Sequence, residues 1–410
     1  MAETTGRTGD DPRATDRAVH TVRLRQQLPI APTISLTDVA AAVVDVMRRS
    51  NGSWLGAHAL LRKEFGADQA MLTDSGTSAL VLVMRLAVPG GGTIGLPEYA
   101  CFDLSAAALL AGLRVRLYDT NPTTLSADLD SVKAMLERGV DALIAVHLFG
   151  YATDVPAIRR LAEPYGVVVI EDAAQAAAGR LNGQRLGTLG ELSVLSFGRG
   201  KGLSAGGGGA LLSFGERWQD LSGALEGVRP STGFRRLAGT AAQAVFGRPW
   251  LYGIPAAIPW LHLGEMVDRV ATEPAPIARA ESALLEPALK REKSELEGRA
   301  RRARQFEAAA RRAPGMRTIE PISGADPGYL RFPIRALDEK HLPAPEWGVL
   351  RPYPCSMVEH ERLGTLRVSG EPLMIGAREL RRSLFVVPTH RFVGESDARA
   401  IDCWMRAATK

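Results

Sequence analysis

Val167-Val168-Val169-Ile170-Glu171-Asp172-Ala173-Ala174-Gln175-Ala176 decides the fold of this chain. Four β-branched residues follow one another without a polar break, which is how a strand buried on both faces reads. The run then ends on two carboxylates. In an open α/β sheet the carboxyl ends of the strands are where ligands sit, so Asp172 is expected at a site rather than in a core.

The same unit repeats on both sides of this stretch. Short apolar runs at Gln69–Thr73 and at residues 93–96, 113–118 and 142–146 predict strands. Between them, helices are predicted through Leu80, Val83 and Leu86, and over 104–111, 129–136 and 156–165. Downstream, residues 192–196 and 210–213 complete the strands, and Ser196 also falls at a strand end. Alternation of this kind predicts an α/β fold, a mostly parallel sheet with helices on both faces.

Residues 225–275 are rich in Gly, Pro, Trp and Leu and show no clean period. Residues 279–313 read as one Ala/Glu/Arg helix, started afresh or kinked at Pro287. A short strand at 329–332 and helices near 377–382 and 398–407 predict a second, smaller α/β unit packed on it. There is no internal repeat.

Downstream of Asp172 lies Ser196-Phe197-Gly198-Arg199-Gly200-Lys201-Gly202, followed by Gly206-Gly207-Gly208-Gly209. Only seven of the 50 basic residues are lysines, and this one sits where bulk has been stripped from both sides. Glycine costs backbone entropy, so such a run means close approach to the backbone or positive φ. A lysine in a stripped loop and an acid at a strand end suggest a pyridoxal 5'-phosphate site. The lysine would form the Schiff base and the acid would keep the ring nitrogen protonated.

Composition limits the other readings. A hydrophobic share of 46% and a charged share of 23% are ordinary for a soluble globular protein. The net charge of +5 is spread over many arginines. The clusters at Arg299, Arg301, Arg302 and Arg304, and at Arg378, Arg381 and Arg382, read as solvated helix faces. No aromatic platform is interleaved with them, so no nucleic-acid partner is expected.

Cys101, Cys355 and Cys403 lie far apart, with no CxxC and no metal-ligand spacing. That predicts reduced thiols, a cytoplasmic protein and no metal. Residues 1–22, rich in Thr, Arg, Asp and Gly, read as a disordered tail without a signal core. Residues 244–264 are apolar but carry three prolines, Arg248 and His262. They are expected to pack against the protein or a partner subunit rather than span or lie on a membrane.

Two glycine motifs are decoys. Gly90-Gly91-Gly92-Thr93-Ile94-Gly95 fits the dinucleotide fingerprint in letters, but it follows a helix and opens a strand, the reverse of what that site needs. The run ending Gly200-Lys201-Gly202 lacks the first glycine and the Ser/Thr of a P-loop. Asp74-Ser75-Gly76-Thr77-Ser78 is a better anion site, a small-residue turn between a strand and a helix N-terminus. Alone it reads as an ordinary helix cap; beside Asp172, Ser196 and Lys201 it reads as a phosphate site.

Several ordered blocks together resemble the DegT/DnrJ/EryC1/StrS family of pyridoxal-phosphate-dependent sugar aminotransferases, from about residue 30 to the C-terminus. They are Glu171-Asp172-Ala173-Ala174-Gln175, Gly187-Thr188-Leu189-Gly190-Glu191, Ser196-Phe197, Lys201 and Gly208-Gly209. Ser75-Gly76-Thr77-Ser78, Val146-His147-Leu148-Phe149-Gly150, Asp154 and Val387-Pro388-Thr389-His390 also match.

The resemblance implies an aspartate-aminotransferase-like fold (fold type I). Residues 26–278 would form the large cofactor domain, following a tail over 1–25. Residues 279–410 would form a linking helix and a small C-terminal domain. Lys201 would carry the cofactor and move the α-proton, and Asp172 would pair with the ring nitrogen. Gln175 would lie by the ring. Ser75, Gly76, Thr77 and Ser196 would hold the phosphate. His147 is a candidate substrate contact.

Three departures stand out. The family often stacks an aromatic residue on the cofactor ring where this chain has Cys101, so either Tyr99 or Phe102 takes that place or the stacking is lost. No Asn-Tyr-Arg-like segment that would reach a neighbouring subunit's phosphate is found between 225 and 285. Where the family usually has Gly-Glu-Gly-Gly after the lysine, this chain has four glycines, Gly206 to Gly209.

Some relatives replace the lysine with histidine and become dehydratases; Lys201 favours transamination. The implied reaction moves an amino group from an amino acid, glutamate being the expected donor, to a keto-sugar or sugar nucleotide in sugar or secondary-metabolite biosynthesis. A keto-cyclitol or other small ketone is the alternative acceptor. A cofactor-binding homologue serving as a non-transaminating partner subunit is the alternative role. A homodimer is implied.

Overall fold

The computed structural model describes residues 25–48, 52–176, 178–218, 221–258, 269–368, 370 and 372–408. The tail expected over 1–25 lies outside these apart from Arg25, as do Trp260, Leu261 and His262 of the apolar segment.

The N-terminal part gives helices α1 (Leu36–Met47) and α2 (Gly52–Phe65), then β1 (Gln69–Thr73) and α3 (Gly76–Ala87). The alternation continues through β2 (Thr93–Pro97), α4 (Asp103–Ala111), β3 (Arg114–Tyr118), α5 (Leu129–Glu137), β4 (Ala142–Val146), α6 (Val155–Ala162) and β5 (Val168–Asp172). After two-residue strands β6 (Arg180–Leu181) and β7 (Gln184–Arg185) come β8 (Leu192–Ser196) and β9 (Gly209–Ser213). Seven of these strands form one sheet in the order β1-β9-β8-β5-β4-β2-β3. From β8 to β3 the pairing is parallel, and only β9 runs antiparallel to its two neighbours.

Pleat parity sorts the side chains of the central strands. Ile144, Val146, Val168 and Ile170 pack with α3 and α4 residues such as Val83 and Leu104. Leu143, Ala145 and Val169 pack on the other face with Val132 of α5 and Ile158 of α6. At the carboxyl ends this places Asp172 on the α3/α4 face, whereas Glu171 and His147 belong to the α5/α6 face.

The stretch over 225–275, which shows no clean period, holds α7 (Phe234–Phe246) and α8 (Pro249–Ala256). Trp250 and Ile254 are 70% and 54% exposed, so this chain alone does not bury the apolar segment, although Tyr252 is buried. No helix among the described residues is long and apolar enough to cross a membrane.

α9 (Arg279–Arg311) runs as one helix through Pro287. Its first half packs Leu284, Leu285 and Ala288 against α1 and α2, and its second half packs Ala303 and Phe306 on the small sheet. Packing on both sides of the proline offsets the loss of one helical hydrogen bond.

The small sheet joins β10 (Met316–Thr318), β12 (Arg331–Ala336) and β13 (Leu384–Pro388), and β11 (Ala325–Asp326) pairs with β6 instead. β12 starts two residues later than the apolar pattern predicts, because Tyr329 takes φ of +45° and breaks the extended run. Three further helices, α10 (Glu361–Leu366), α11 (Ile375–Ser383) and α12 (Glu395–Ala407), complete the chain.

Candidate active site

Asp172 ends β5 as a buried carboxylate. One oxygen, Oδ1, accepts the Ala174 N–H at 2.9 Å. Burial raises its pKa, and the Ala174 N–H and the charge of Lys201 oppose that shift. Among the described residues one amide bonds this acid, and a buried acid so placed is suited to a cationic partner.

Lys201 lies in the turn after β8. Its N–H donates to the Gly198 oxygen at 3.2 Å, and Ala205 N–H closes the loop on the Phe197 oxygen at 2.9 Å. Gly200 is needed here on two counts. Its φ is +79°, and a Cβ would meet Ile30 at 2.5 Å. The amine of Lys201 acts electrostatically on both Asp172 and Cys101, so the three groups share one site. Burial pushes the Cys101 thiol up to about 12, which keeps it neutral.

The anion cradle forms where β1 and β8 end. Ser75 is the extended N-cap of α3, and its hydroxyl accepts Ser78 N–H at 3.0 Å. Gly76 and Thr77 occupy the first turn, where a helix leaves its N–H groups unpaired. A Cβ on Gly76 would lie 2.8 Å from both Cβ and Oγ of Ser196, so only glycine admits this approach. Ser75, Gly76, Thr77 and Ser196 are thus brought together at a helix N-terminus.

Gln175 is fixed at both ends of its amide. Oε1 accepts Phe149 N–H at 3.1 Å, and Nε2 donates to the Tyr353 hydroxyl at 3.3 Å. The expected ring-stacking residues turn elsewhere. Tyr99 is buried edge-on against Tyr353, with centroids 5.0 Å apart, and Phe102 packs on His360 at 4.2 Å. Cys101 is the residue of that stretch that senses Lys201.

His147 does not fit its expected role as a substrate contact. Its Nε2 bonds Glu171 Oε1 at 2.8 Å and its Nδ1 accepts Thr153 N–H at 2.9 Å. Both nitrogens are taken, inside the core.

Two residues that sequence reasoning missed join the site, Tyr353 and Arg331. Tyr353 lies within electrostatic reach of Cys101, Asp172 and Arg331 at once. Its only local signal is an aromatic flanked by Pro352 and Pro354. The arginines Arg378, Arg381 and Arg382, expected as a solvated face, line a cavity of about 240 Å³ with Glu98 and Ser356. None of the residues placed around Lys201 lines it.

Residues 58–227, which contain Asp172, Ser196 and Lys201, match a known aminotransferase family. The family is described as the DegT/DnrJ/EryC1/StrS aminotransferase family, and the match covers less than half of this chain. Over 156 residues the chain is 32% identical to a UDP-N-acetyl-3-dehydro-α-D-glucosamine 3-aminotransferase of Acidithiobacillus ferrooxidans, covering 38% of this chain and 42% of that protein. Over 141 residues it is 31% identical to an L-glutamine:2-deoxy-scyllo-inosose aminotransferase of Streptomyces kanamyceticus, covering 34% and 33%. The match spans less than half the length of these relatives.

The fold likeness is wider. The aminotransferase TlmJ from Streptoalloteichus hindustanus superposes with a TM-score of 0.71 at 21% identity, covering 94% of this chain and 99% of that one. The chain therefore has the fold of this aminotransferase, and the residues described here fit a pyridoxal 5'-phosphate cofactor. Asp172 is a buried acid with no bonded cation among the described residues, Gly76 lets Ser196 approach where a Cβ would intrude, and Lys201 acts electrostatically on both Asp172 and Cys101.

Proposed function

We propose that this protein is a pyridoxal 5'-phosphate-dependent aminotransferase. It would move an amino group from an amino acid, with L-glutamate as donor, to the keto group of a sugar or sugar nucleotide, or of a cyclitol. The observation that carries this reading is the convergence of Lys201, buried Asp172 and the Ser75-Gly76-Thr77/Ser196 cradle on the carboxyl ends of one sheet.

When bound, the cofactor supplies an electron sink for the carbanion left by the donor's α-proton. The chain's own groups do the rest. Backbone N–H groups of Gly76 and Thr77, with the Ser75 and Ser196 hydroxyls, bind the phosphate at the positive end of α3. The Asp172 carboxylate holds a proton on the ring nitrogen, since a buried acid favours a cationic neighbour. Lys201 Nζ takes the proton from the donor's α-carbon and redelivers it. Gln175, clamped by Phe149 and Tyr353, sets the wall beside the ring.

The same reading includes two domains, 26–278 and 279–410, a homodimer and a cytoplasmic setting with reduced thiols. Exposed Trp250 and Ile254 supply the apolar surface that a second copy would cover. Sedimentation showing a stable monomer would remove the dimer.

The test of the reaction is spectroscopic. Protein loaded with pyridoxal 5'-phosphate should show a visible absorbance band that bleaches with L-glutamate and returns when a keto-sugar nucleotide or keto-cyclitol is added. A stable band that ignores every amino donor would leave only a binding role.

A further inference from the structure

α11 sets Arg378, Arg381 and Arg382 around a cavity of about 240 Å³, which Glu98, Ser356 and Glu359 also line. Pockets for drug-sized ligands start at ~300 Å³, so this space suits one small molecule or group. It lies behind the wall of the candidate active site. Met357 N–H donates to the Glu98 oxygen at 3.0 Å, while the neighbouring Tyr99 packs edge-on against Tyr353.

The three arginines are held unequally. Arg381 pairs with Glu359 at 3.3 Å, and Glu359 Oε2 also accepts the Ser356 N–H at 2.9 Å. Arg382 meets Glu339 at 3.6 Å with both side chains more than half exposed, so that pair contributes little. Among the described residues, Arg378 makes no ion pair, although it acts electrostatically on Glu98. Glu98 is buried and its pKa is pushed up to about 7, so below that pH it is a neutral donor rather than a competing anion. The wall then holds three guanidinium groups against one ionised carboxylate, Glu359, an excess of two positive charges.

We propose that this cavity is a second anion site, separate from the Ser75-Gly76-Thr77 cradle. It takes a doubly charged phosphate or sulfate group, free or as the monoester of a small molecule. A guanidinium offers a planar fork of donors that two oxygens of such a group meet with parallel hydrogen bonds. The inference goes beyond the transamination reading and does not depend on it.

Sulfate is the first probe, because it stays doubly charged between pH 6 and pH 8. Saturating pyridoxal 5'-phosphate keeps the cradle occupied. Calorimetry at pH 6 should show binding at millimolar concentration or tighter. Arg378→Gln should weaken it roughly tenfold or more, the scale for one charged hydrogen bond. Arg301→Gln removes the same charge from an exposed position on α9 and should leave binding unchanged.

Raising the pH tests the part of Glu98. The charged groups around it are Asp119 after β3, Arg367 after α10 and Arg378 on α11, with Glu359, Arg381 and Arg382 across the cavity. From pH 6 to pH 8 wild-type affinity should fall roughly tenfold as Glu98 ionises beside the bound dianion. Glu98→Gln should keep its pH 6 affinity at pH 8, which separates Glu98 from His360, packed on Phe102. Inorganic phosphate and glycerol 3-phosphate, compared at one pH, then identify the source. Tighter binding of the ester supports a small phosphomonoester, and equal or weaker binding supports the free anion. Sulfate binding within twofold of wild type in Arg378→Gln would overturn the proposal. So would an equal loss in Arg301→Gln, a pH 8 loss as large in Glu98→Gln as in wild type, or no binding at millimolar sulfate.

Discussion

His147 Nε2 donates to Glu171 Oε1 at 2.8 Å with both side chains wholly buried, directly behind the residue that ends β5. The proton is on Nε2 because Nδ1 accepts Thr153 N–H. Glu171 also accepts N–H groups from Gly187, Leu189 and Gly190 and the Ser193 hydroxyl. Burial pushes its pKa up, but these donors, His147 foremost, pull it below the ordinary value. One carboxylate thus ties β4, β5, β8 and the 187–190 turn together on the face opposite Asp172. Glu171→Gln is expected to cost about 3 kcal/mol, because an amide NH₂ must face donors in a dry core. Chemical denaturation checks this; a loss under about 0.5 kcal/mol would show that water or repacking rescues the turn.

Lys201→Ala should abolish turnover and leave the fold intact. The loop around it is closed by backbone bonds and glycines rather than by the lysine side chain. Near-wild-type transamination by this variant would remove Lys201 from the chemistry, and a collapsed circular-dichroism spectrum would contradict the account of the loop.

Asp172→Asn should retain the cofactor yet slow the carbanion step by at least ~10²-fold, the scale for removal of a preorganised electrostatic group. The neutral amide no longer favours a protonated ring nitrogen. Single-turnover kinetics with glutamate would measure this, and a rate within about twofold of wild type would make Asp172 a strand-end acid and nothing more.

Gly76→Ala tests the cradle. The added methyl would fall 2.8 Å from Ser196 Cβ and Oγ, where only a shift of α3 or β8 makes room. The dissociation constant for pyridoxal 5'-phosphate should rise by about tenfold or more, corresponding to ~1.4 kcal/mol or more. Fluorescence titration gives that constant. An unchanged value would place the phosphate elsewhere.

The parts of this site that could be read in the sequence are those that local pattern encodes. The Val167–Asp172 run, the Ser75-Gly76 turn and the glycine-flanked Lys201 each carry their meaning within about ten residues. The core bonding of His147 is not legible in the sequence, because it depends on which face β4 turns outward, and that is set by pairing with β5 rather than by neighbours in sequence. Arg331 and Tyr353 come from the far side of α9 and have no local signature. α7 was missed for a different reason, since its glycines and a narrow apolar stripe blur its period. The continuity of α9 through Pro287 is a case of tertiary packing overriding a local breaker.

Glu98 gives the pH dependence a definite sign. It is only 3% exposed, so solvent does not screen it. Burial drives its pKa up to about 7; the Ser356 hydroxyl, Arg378 and Arg367 lower it, and Asp119 adds to the rise. Above an ordinary carboxyl value near 4.3 the unfolded chain releases this proton while the folded chain keeps it until about pH 7. The folded state binds more protons across that window, so stability falls as pH rises through it and is level on either side. At about 1.4 kcal/mol per pKa unit the total is roughly 3–4 kcal/mol. His390 works in the opposite sense. Burial lowers its pKa to about 4, so its contribution is lost as pH falls from 6.5 toward that value. Glu98→Gln removes the first effect and leaves the second. The variant should match wild type near pH 4 and exceed it by roughly 3–4 kcal/mol at pH 8. Urea denaturation at pH 4.5, 6 and 8 measures both slopes, and parallel curves for variant and wild type would show that Glu98 is ionised throughout.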